Sequence, residues 1–232
     1  MLPLVLLPGL NNTHAVFDGV RAALPPEVPV LAPDNPLETT VEAAAAWHLA
    51  RLPERFWLTG FSFGGYVALA MLEAAPERIA GLALVCSTPL ADSDEQRAKR
   101  AQGIELARQG RYVSMITSQG AGAFHPDSLR DEALLARRRA MVEDYGAERF
   151  IAHTTAVMQR PDRSRLLDGR LPLAVIGGSD DGIFPPPVVA AWADRLPHAW
   201  RATIARAGHL APMERPAELA RLLTDWIASR GG

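Results

Sequence analysis

The chain has 232 residues, a length that suits one α/β core with an insertion better than two full domains. Hydrophobic residues make up 48% of the sequence and charged residues 22%, proportions that exclude a disordered chain. The formal net charge of -2 provides no basic field that would attract nucleic acid or anionic lipid, so small molecules or proteins are the expected partners.

The amino-terminal segment MLPLVLLPGL lacks the basic start and the small-residue cleavage site of a signal peptide. No apolar run approaches the ~18 residues that a membrane span needs. These features predict a cytoplasmic protein that does not associate with membranes. Cys86 is the only cysteine, which excludes an internal disulfide and a cysteine-based metal cluster, and its apolar surroundings predict a core thiol.

Short apolar runs alternate with longer amphipathic runs along the first 90 or so residues. The apolar runs predict strands buried on both faces at residues 2–9, 28–34, 55–62 and 79–87. The amphipathic runs predict helices at residues 15–24, 39–52 and 64–75. Such alternation indicates a parallel sheet with crossover helices.

Beyond Pro89 the strand pattern stops, and three helices are predicted at residues 94–110, 128–146 and 147–160. Alternation then resumes, with strands at 171–181 and 199–209 and helices at 185–197 and 215–230.

This order predicts an α/β core made of residues 1–91 and 166–232, with a helical insertion at 92–165. The Arg137-Arg138-Arg139 run lies in the insertion among acidic residues, and it predicts a solvated helix face rather than a nucleic-acid site.

The pentapeptide Gly60-Phe61-Ser62-Phe63-Gly64 joins a predicted strand to a predicted helix. It matches G-x-S-x-G, a turn that holds a nucleophilic serine in a strained conformation and needs very small residues on either side. The next glycine would let the helix pack closely on the sheet. A phosphate-binding turn would contain a Lys-Ser/Thr pair or a G-x-G-x-x-G run, and the sequence has neither here.

A serine hydroxyl is a poor nucleophile, so it needs a base within hydrogen-bond reach and a carboxylate to orient that base. Of the six histidines, His209 follows the last predicted strand, in a loop of the kind where the sites of parallel sheets collect. Asp180 and Asp181 follow the preceding strand, and both are candidates for the carboxylate. The order serine, aspartate, histidine differs from the trypsin-like and subtilisin-like orders.

Taken together and in order, LLPGL, GFSFGG, GGSDDGIFP and AGHLAPMERP resemble the motifs of the α/β-hydrolase fold superfamily over nearly the whole chain. The resemblance implies a mostly parallel sheet of about six strands flanked by helices, with a helical cap, here 92–165, inserted after the fourth strand. It also favours Asp181 over Asp180, because Gly178 and Pro185 match the spacing of the acid loop in similar proteins.

The resemblance further implies an oxyanion hole formed by the backbone N–H groups of Leu10 and Phe63. Pro8-Gly9 stands where many relatives have His-Gly, which leaves the Leu10 N–H in place but removes a side chain that could order the loop. The polar residues Asn11, Asn12 and Thr13 could supply side-chain hydrogen bonds in this loop. The favoured expectation is that they cap the following helix.

These motifs predict a serine hydrolase that cleaves a small carboxylic ester or lactone through a Ser-His-Asp triad and an acyl-enzyme, without metal or organic cofactor. Enol-lactonases and carboxylesterases of this fold look similar at this level. The alternatives are a C–C bond hydrolase, a thioesterase, peracid formation on the same triad, or a non-catalytic ligand-binding member of the fold. Dehalogenases and epoxide hydrolases resemble this fold with an aspartate where Ser62 stands.

The expected substrate is a small, mainly apolar acyl compound, because the residues predicted to form pocket walls are apolar. These residues are Phe61, Met115, Ile116, Phe124, Phe150 and Met158.

Overall fold

The computed structural model describes residues 1–118 and 120–230. Within them, six strands form one sheet: β1 (Leu4–Leu7), β2 (Val30–Leu31), β3 (Phe56–Phe61), β4 (Ile79–Val85), β5 (Leu173–Gly178) and β6 (Trp200–Ile204). The spatial order is β2-β1-β3-β4-β5-β6, and every neighbouring pair is parallel. The predicted α/β fold with a six-stranded parallel sheet is confirmed.

The second strand was predicted at residues 28–34 with both faces buried, and the structure differs in its length and its burial. Only Val30 and Leu31 form β2, and Leu31 is 39% exposed. The reason is its position, because β2 lies at the edge of the sheet and pairs with β1 alone. A short edge strand limits pairing with other chains.

Helices occupy much of the remaining described chain. They are α1 (Asp18–Ala23), α2 (Val41–Leu49), α3 (Phe63–Ala74), α4 (Asp94–Arg108), α5 (Tyr112–Ser118), α6 (Gly120–Ala123), α7 (Glu132–Gln159), α8 (Pro186–Ala193), α9 (Ala211–Glu214) and α10 (Pro216–Ala228). In the described part of the chain, no helix combines the length and the apolar character that crossing a membrane requires.

Two apolar clusters cover the two faces of the sheet. Leu4 and Leu6 of β1 pack in one cluster, which extends to side chains of α1 and α10. Val5 and Leu7 pack in the other, which extends to side chains of α2, α3 and α8. Successive strand residues point to opposite faces, so a continuous apolar run places β1 in both clusters at once.

The segment between β4 and β5 contains α4 to α7 and, in its described residues, no strand. Helix α4 matches the first predicted helix, and it begins with a capping box between Ser93 and Gln96. The second and third predicted helices meet at Gly146, where a φ of 77° and a ψ of 161° interrupt α7. Helices α5 and α6 are not predicted, because segments this short carry no long periodic pattern.

The turn from β3 to α3 leaves no room for side chains on its glycines. Ser62 has φ 50° and ψ −114°. A Cβ on Gly60 would lie 2.4 Å from the Cα of Gly65, and one on Gly64 would lie 2.2 Å from the carbonyl oxygen of Leu7. The motif therefore requires glycine at these two positions, because a side chain would clash with backbone atoms. The turn places Ser62 at the carboxyl edge of the sheet.

We predict that Gly60→Ala lowers the free energy of unfolding by about 3 kcal/mol or more, because the added methyl group meets backbone atoms that cannot rotate away. Urea denaturation measures this. Gly177→Ala is the matched control in β5, since a Cβ there meets nothing within 4 Å. The control is expected to be unchanged or more stable by up to about 1 kcal/mol. Equal stability of the two variants would contradict the steric account.

Candidate active site

Three polar side chains from separate loops converge at the carboxyl edge of the sheet. Ser62 follows β3, Asp181 follows β5, and His209 lies in the loop after β6. His209 Nε2 is 3.0 Å from Ser62 Oγ, and His209 Nδ1 is 2.9 Å from Asp181 Oδ2. The structure thus brings together the serine, the histidine and the aspartate that the motifs select.

The hydrogen bonds of Asp181 determine where the protons lie. Its Oδ1 accepts from the backbone N–H groups of Ile183 and Phe184, each at 2.8 Å. Burial raises the pKa of Asp181, but the charge and hydrogen bond of His209 and the two amides lower it further, so the pKa lies below its usual value. The ionised carboxylate only accepts, so His209 Nδ1 carries the hydrogen and Nε2 faces the Ser62 hydroxyl as an acceptor.

The neighbouring aspartate takes no part in this chain of hydrogen bonds. Asp180 is exposed, its Oδ2 accepts from the Ser179 hydroxyl at 2.5 Å, and it lies 3.9 Å from His125 Nε2. Of the two candidates, the structure places Asp181 and not Asp180 against His209.

Two aromatic rings and one buried carboxylate hold His209 and its loop. The ring centroids of Phe61 and Phe184 lie 5.3 and 5.8 Å from the imidazole. Glu214 Oε1 accepts from the backbone N–H of Gly208, the residue before His209, at 2.8 Å. Phe61 is fully buried behind the imidazole, so its predicted role as a pocket wall is wrong.

Leu10 and Phe63 are the two residues whose backbone N–H groups the family resemblance selects for an oxyanion hole. Among the described residues, neither N–H donates to a protein acceptor. Phe63 is the first residue of α3, where backbone N–H groups have no partner within the helix and the helix dipole favours negative charge. Both residues line the same cavity as Ser62. Both N–H groups therefore belong to residues that line the cavity, and neither is occupied by an acceptor in the described part of the chain.

The loop that carries Leu10 is tied to the helices between β4 and β5. Arg138 of α7 donates from Nη1 to the Asn11 carbonyl at 2.6 Å and to Asn12 Oδ1 at 2.7 Å. Tyr112 of α5 donates its hydroxyl hydrogen to Asn11 Oδ1 at 3.2 Å. Asn12 Nδ2 donates to the Leu10 carbonyl at 2.7 Å. These bonds fix the loop in the absence of a histidine before Gly9.

Two features of this region differ from what the sequence predicts. Asn12 bonds within the loop and to Arg138, and Thr13 makes no side-chain cap, so the expected helix capping is wrong. Arg137 and Arg139 are exposed as predicted, but Arg138 is partly buried against the loop. Consecutive helical residues differ by about 100° in direction, which turns the middle arginine of the run inward. Its spacing from the cavity-lining Leu135 and Val142 is the signal that sequence reasoning missed.

The same loop is held from the core by a second chain of hydrogen bonds. Asn35 Nδ2 donates to the Pro8 carbonyl at 2.9 Å, and Asn35 Oδ1 lies 3.1 Å from His48 Nε2. Burial, with a smaller effect from the charge of Arg51, lowers the pKa of His48 to about 4. His48 is therefore neutral near pH 7 and donates from Nε2 to the amide oxygen.

A further neutral histidine supports Phe63. The ring of His153 stacks on that of Phe63, with centroids 4.9 Å apart and 21° between the planes. His153 Nε2 donates to the Pro36 carbonyl at 2.7 Å, so Nδ1 accepts from the Tyr145 hydroxyl at 2.5 Å. Burial lowers the pKa of His153, which keeps the ring uncharged beneath Phe63.

A cavity of about 640 Å³ opens at Ser62 and His209. Four of the six predicted wall residues line it, namely Met115, Ile116, Phe124 and Phe150. Met158 does not, because it lies about 80° round α7 from Phe150, while Thr154 and Val157 keep to the lining face. A volume of this size suits a small organic molecule.

The walls are not purely apolar. Besides Tyr66 and Asn12, four basic side chains line the cavity: Lys99, Arg100, Arg138 and Arg139. Among the residues that the structure describes, no aspartate or glutamate lines it.

Cys86, Asp181 and His209 place sulfur, oxygen and nitrogen atoms within 4.8 Å of one another. Cys86 is buried, as its apolar surroundings predict, but its proximity to the aspartate and the histidine could not be read from the sequence. Burial and the charge of Asp181 raise the pKa of the thiol well above its usual value. Metal binding needs a thiolate and a free histidine nitrogen, so this cluster suits a neutral thiol beside the carboxylate better than a metal ion.

The comparison with protein families identifies the fold family. The model of the Alpha/beta hydrolase family matches residues 4–222. The chain belongs to the alpha/beta hydrolase family. The predicted fold family and the prediction of a hydrolase are confirmed at this level.

Two esterases and an enol-lactonase are among the individual proteins that this chain resembles. A pimeloyl-[acyl-carrier protein] methyl ester esterase from Aromatoleum aromaticum is 26% identical over 253 residues, covering 97% of each chain. A thermophilic esterase from Thermogutta terrifontis superimposes with a TM-score of 0.90 at 28% identity, covering 99% of this chain and 90% of that one. The enol-lactonase from Burkholderia xenovorans LB400 matches with a TM-score of 0.86 at 20% identity, covering 98% and 92% of the two chains, and shows similarity of fold alone.

We predict that the buried His48 makes the protein less stable as the pH falls from 7 to 4.5. The unfolded chain binds a proton at His48 near pH 6.5, whereas the folded chain does so only near pH 4, so acid favours unfolding by up to about 3 kcal/mol. His48→Gln keeps a donor towards Asn35 but does not titrate. Urea denaturation at both pH values should show a smaller loss for this variant. An equal loss in both proteins would contradict the assignment.

Proposed function

We propose that the protein is a serine hydrolase that cleaves small carboxylic esters or lactones through an acyl-enzyme. The observation that carries this proposal is the continuous hydrogen-bond chain from Ser62 Oγ through His209 to Asp181, with distances of 3.0 and 2.9 Å. A hydroxyl becomes an effective nucleophile when a correctly oriented base accepts its proton, and this arrangement offers both the base and the group that orients it.

In the first half of the reaction, Ser62 Oγ attacks the substrate carbonyl carbon as its proton passes to His209 Nε2. The carbonyl oxygen becomes an oxyanion that accepts from the N–H groups of Leu10 and Phe63. Asp181 stabilises the imidazolium and keeps its orientation. His209 then gives the proton to the leaving alkoxide, which departs as an alcohol and leaves the acyl group on Ser62.

In the second half, water takes the place of the alcohol. His209 accepts a proton from the water as the water oxygen attacks the acyl carbon, and the same two N–H groups stabilise the second oxyanion. Collapse of this intermediate returns the proton to Ser62 Oγ and releases the carboxylic acid. In a lactone the leaving alkoxide stays attached to the acyl group, so a single hydroxy acid is released.

We propose further that residues 92–165 act as a cap over a core formed by residues 1–91 and 166–232. Side chains from α4, α5 and α7 line one part of the cavity, and residues of the core line the part around Ser62. The apolar walls suit a substrate with a small apolar body, because burial of apolar surface favours its binding.

The named relatives support cleavage of a carboxylic ester or lactone rather than of a thioester or a C–C bond. One is named for a methyl ester, and the esterase from Thermogutta terrifontis is similar both in sequence and in structure. Loss of a triad residue would favour a non-catalytic role, whereas this chain retains the serine, the histidine and the aspartate in hydrogen-bonded positions.

We predict that Ser62→Ala lowers kcat for a short-chain ester by ~10³-fold or more, because it removes the nucleophile. A phosphonate that labels reactive serines should modify the parent protein at Ser62, as peptide mass mapping would detect. Ser229→Ala at the end of α10 is the control and should keep the parent rate and labelling. Undiminished turnover by Ser62→Ala would overturn the proposed mechanism.

The two adjacent aspartates provide a matched pair of variants. Asp181→Asn should lower kcat by roughly 10³- to 10⁴-fold, because an amide in place of the carboxylate no longer fixes the imidazole with its acceptor nitrogen towards the serine. Asp180→Asn should stay within about threefold of the parent, since Asp180 does not contact His209. Steady-state kinetics on one ester decide this. If Asp180→Asn lowered kcat more than Asp181→Asn, Asp180 would be the residue that orients His209.

A further inference from the structure

The charges around the cavity do not balance. Four basic side chains line it, and among the described residues no carboxylate does. Three of the four have a carboxylate partner next to the cavity: Lys99 pairs with Glu95, Arg100 with Asp92, and Arg139 with Glu143.

Arg138 differs from the other three. No carboxylate of the described residues lies within 4.0 Å of its guanidinium, and its hydrogen bonds go from Nη1 to neutral acceptors on Asn11 and Asn12. Arg138 is partly buried, and this burial lowers the pKa of its guanidinium to about 10, with Tyr112 and Tyr145 opposing the change. The side chain remains charged at neutral pH, so a partly buried cation faces the cavity without a counter-charge.

The Nη2 and Nε hydrogens of Arg138 belong to a side chain that lines the cavity. Among the described residues, they donate to no protein acceptor. A guanidinium presents its N–H groups in a planar fork that matches the two oxygens of a carboxylate. A charged donor in a partly desolvated site gains more from such a partner than it would in water.

Arg138 also lies close to the position of the reacting carbonyl. Its Nη1 is 2.6 Å from the carbonyl oxygen of Asn11, and Leu10, whose N–H faces the proposed oxyanion, directly precedes Asn11. Consecutive Cα atoms are about 3.8 Å apart, so the guanidinium lies within roughly 10 Å of the Leu10 N–H. A chain of a few carbons spans this distance.

We propose that Arg138 forms an anion-binding subsite of the cavity, and that the substrate is an ester or lactone bearing a carboxylate a few carbons from the reacting carbonyl. This inference rests on the proposed function for the reaction, and it adds the charge of the substrate. The apolar walls then hold the carbon chain between the two polar ends.

A matched pair of substrates tests the charge requirement. Monomethyl adipate carries a carboxylate, and methyl 6-amino-6-oxohexanoate has a neutral carboxamide of nearly the same shape. The parent protein should hydrolyse the charged ester with a kcat/KM at least about 10-fold higher, because a charge-assisted bidentate pair is stronger than neutral hydrogen bonds. Equal kcat/KM values for the two esters would overturn the subsite while leaving the hydrolase proposal intact.

Variants separate charge recognition from the support that Arg138 gives to the Leu10 loop. Arg138→Gln should abolish the preference for the charged ester, and Arg138→Lys should retain part of it. Tyr112→Phe is the control, because it removes one tether of the loop without changing the charge of the cavity. It should lower kcat for both esters alike and preserve their ratio. A preference that survives in Arg138→Gln would exclude Arg138 as the anion site.

Binding of non-hydrolysable ligands tests the anion-binding subsite without depending on turnover. Titration calorimetry of Ser62→Ala should detect hexanoate binding at least about 10-fold tighter than hexanamide binding, and Ser62→Ala with Arg138→Gln should lose this difference. If no ester is hydrolysed and Ser62 is not labelled, yet hexanoate binds in this manner, the proposed function fails and the subsite stands. Equal affinity for hexanoate and hexanamide overturns the subsite.

Discussion

The imidazole of His209 joins two parts of the site that the chain itself keeps far apart. One ring nitrogen meets the Ser62 hydroxyl at the β3–α3 turn, and the other meets Asp181 after β5. The ring can do this only because Phe61 and Phe184 pack against it and Glu214 fixes the backbone one residue before it. Every chemical role proposed here depends on this placement, since a displaced imidazole would leave the serine without a base.

The loop that carries Leu10 depends on both layers of the molecule. Asn35 and His48 hold it from the core, whereas Tyr112 and Arg138 hold it from the helices between β4 and β5. A shift of those helices relative to the sheet would therefore reach the amide proposed to stabilise the oxyanion. A substrate bound in the cavity would contact Leu10 and Arg138, so its binding would act on the position of the Leu10 amide.

Local patterns at strand ends and glycine turns were sufficient for the fold, for Ser62 and for His209. They left Asp180 and Asp181 open, and the family resemblance favoured Asp181, which the structure places against His209. The close approaches at Gly60 and Gly64 show why such a pattern is strict. The cavity was less predictable, since its walls come from packing between distant helices. Phe61 therefore packs against the imidazole and does not line the cavity. Arg138 lines the cavity, although the sequence predicted that all three consecutive arginines would face solvent.

A crystal structure of the protein with a phosphonate attached to Ser62 would show whether the serine, the histidine and the two amides converge on one reacting centre, because the phosphoryl oxygen occupies the position of the oxyanion. We expect this oxygen at roughly 2.7–3.1 Å from both the Leu10 and the Phe63 nitrogen, with the imidazole of His209 still bonded to Asp181. An adduct whose oxygen points to solvent, away from either amide, would rule out the proposed oxyanion hole.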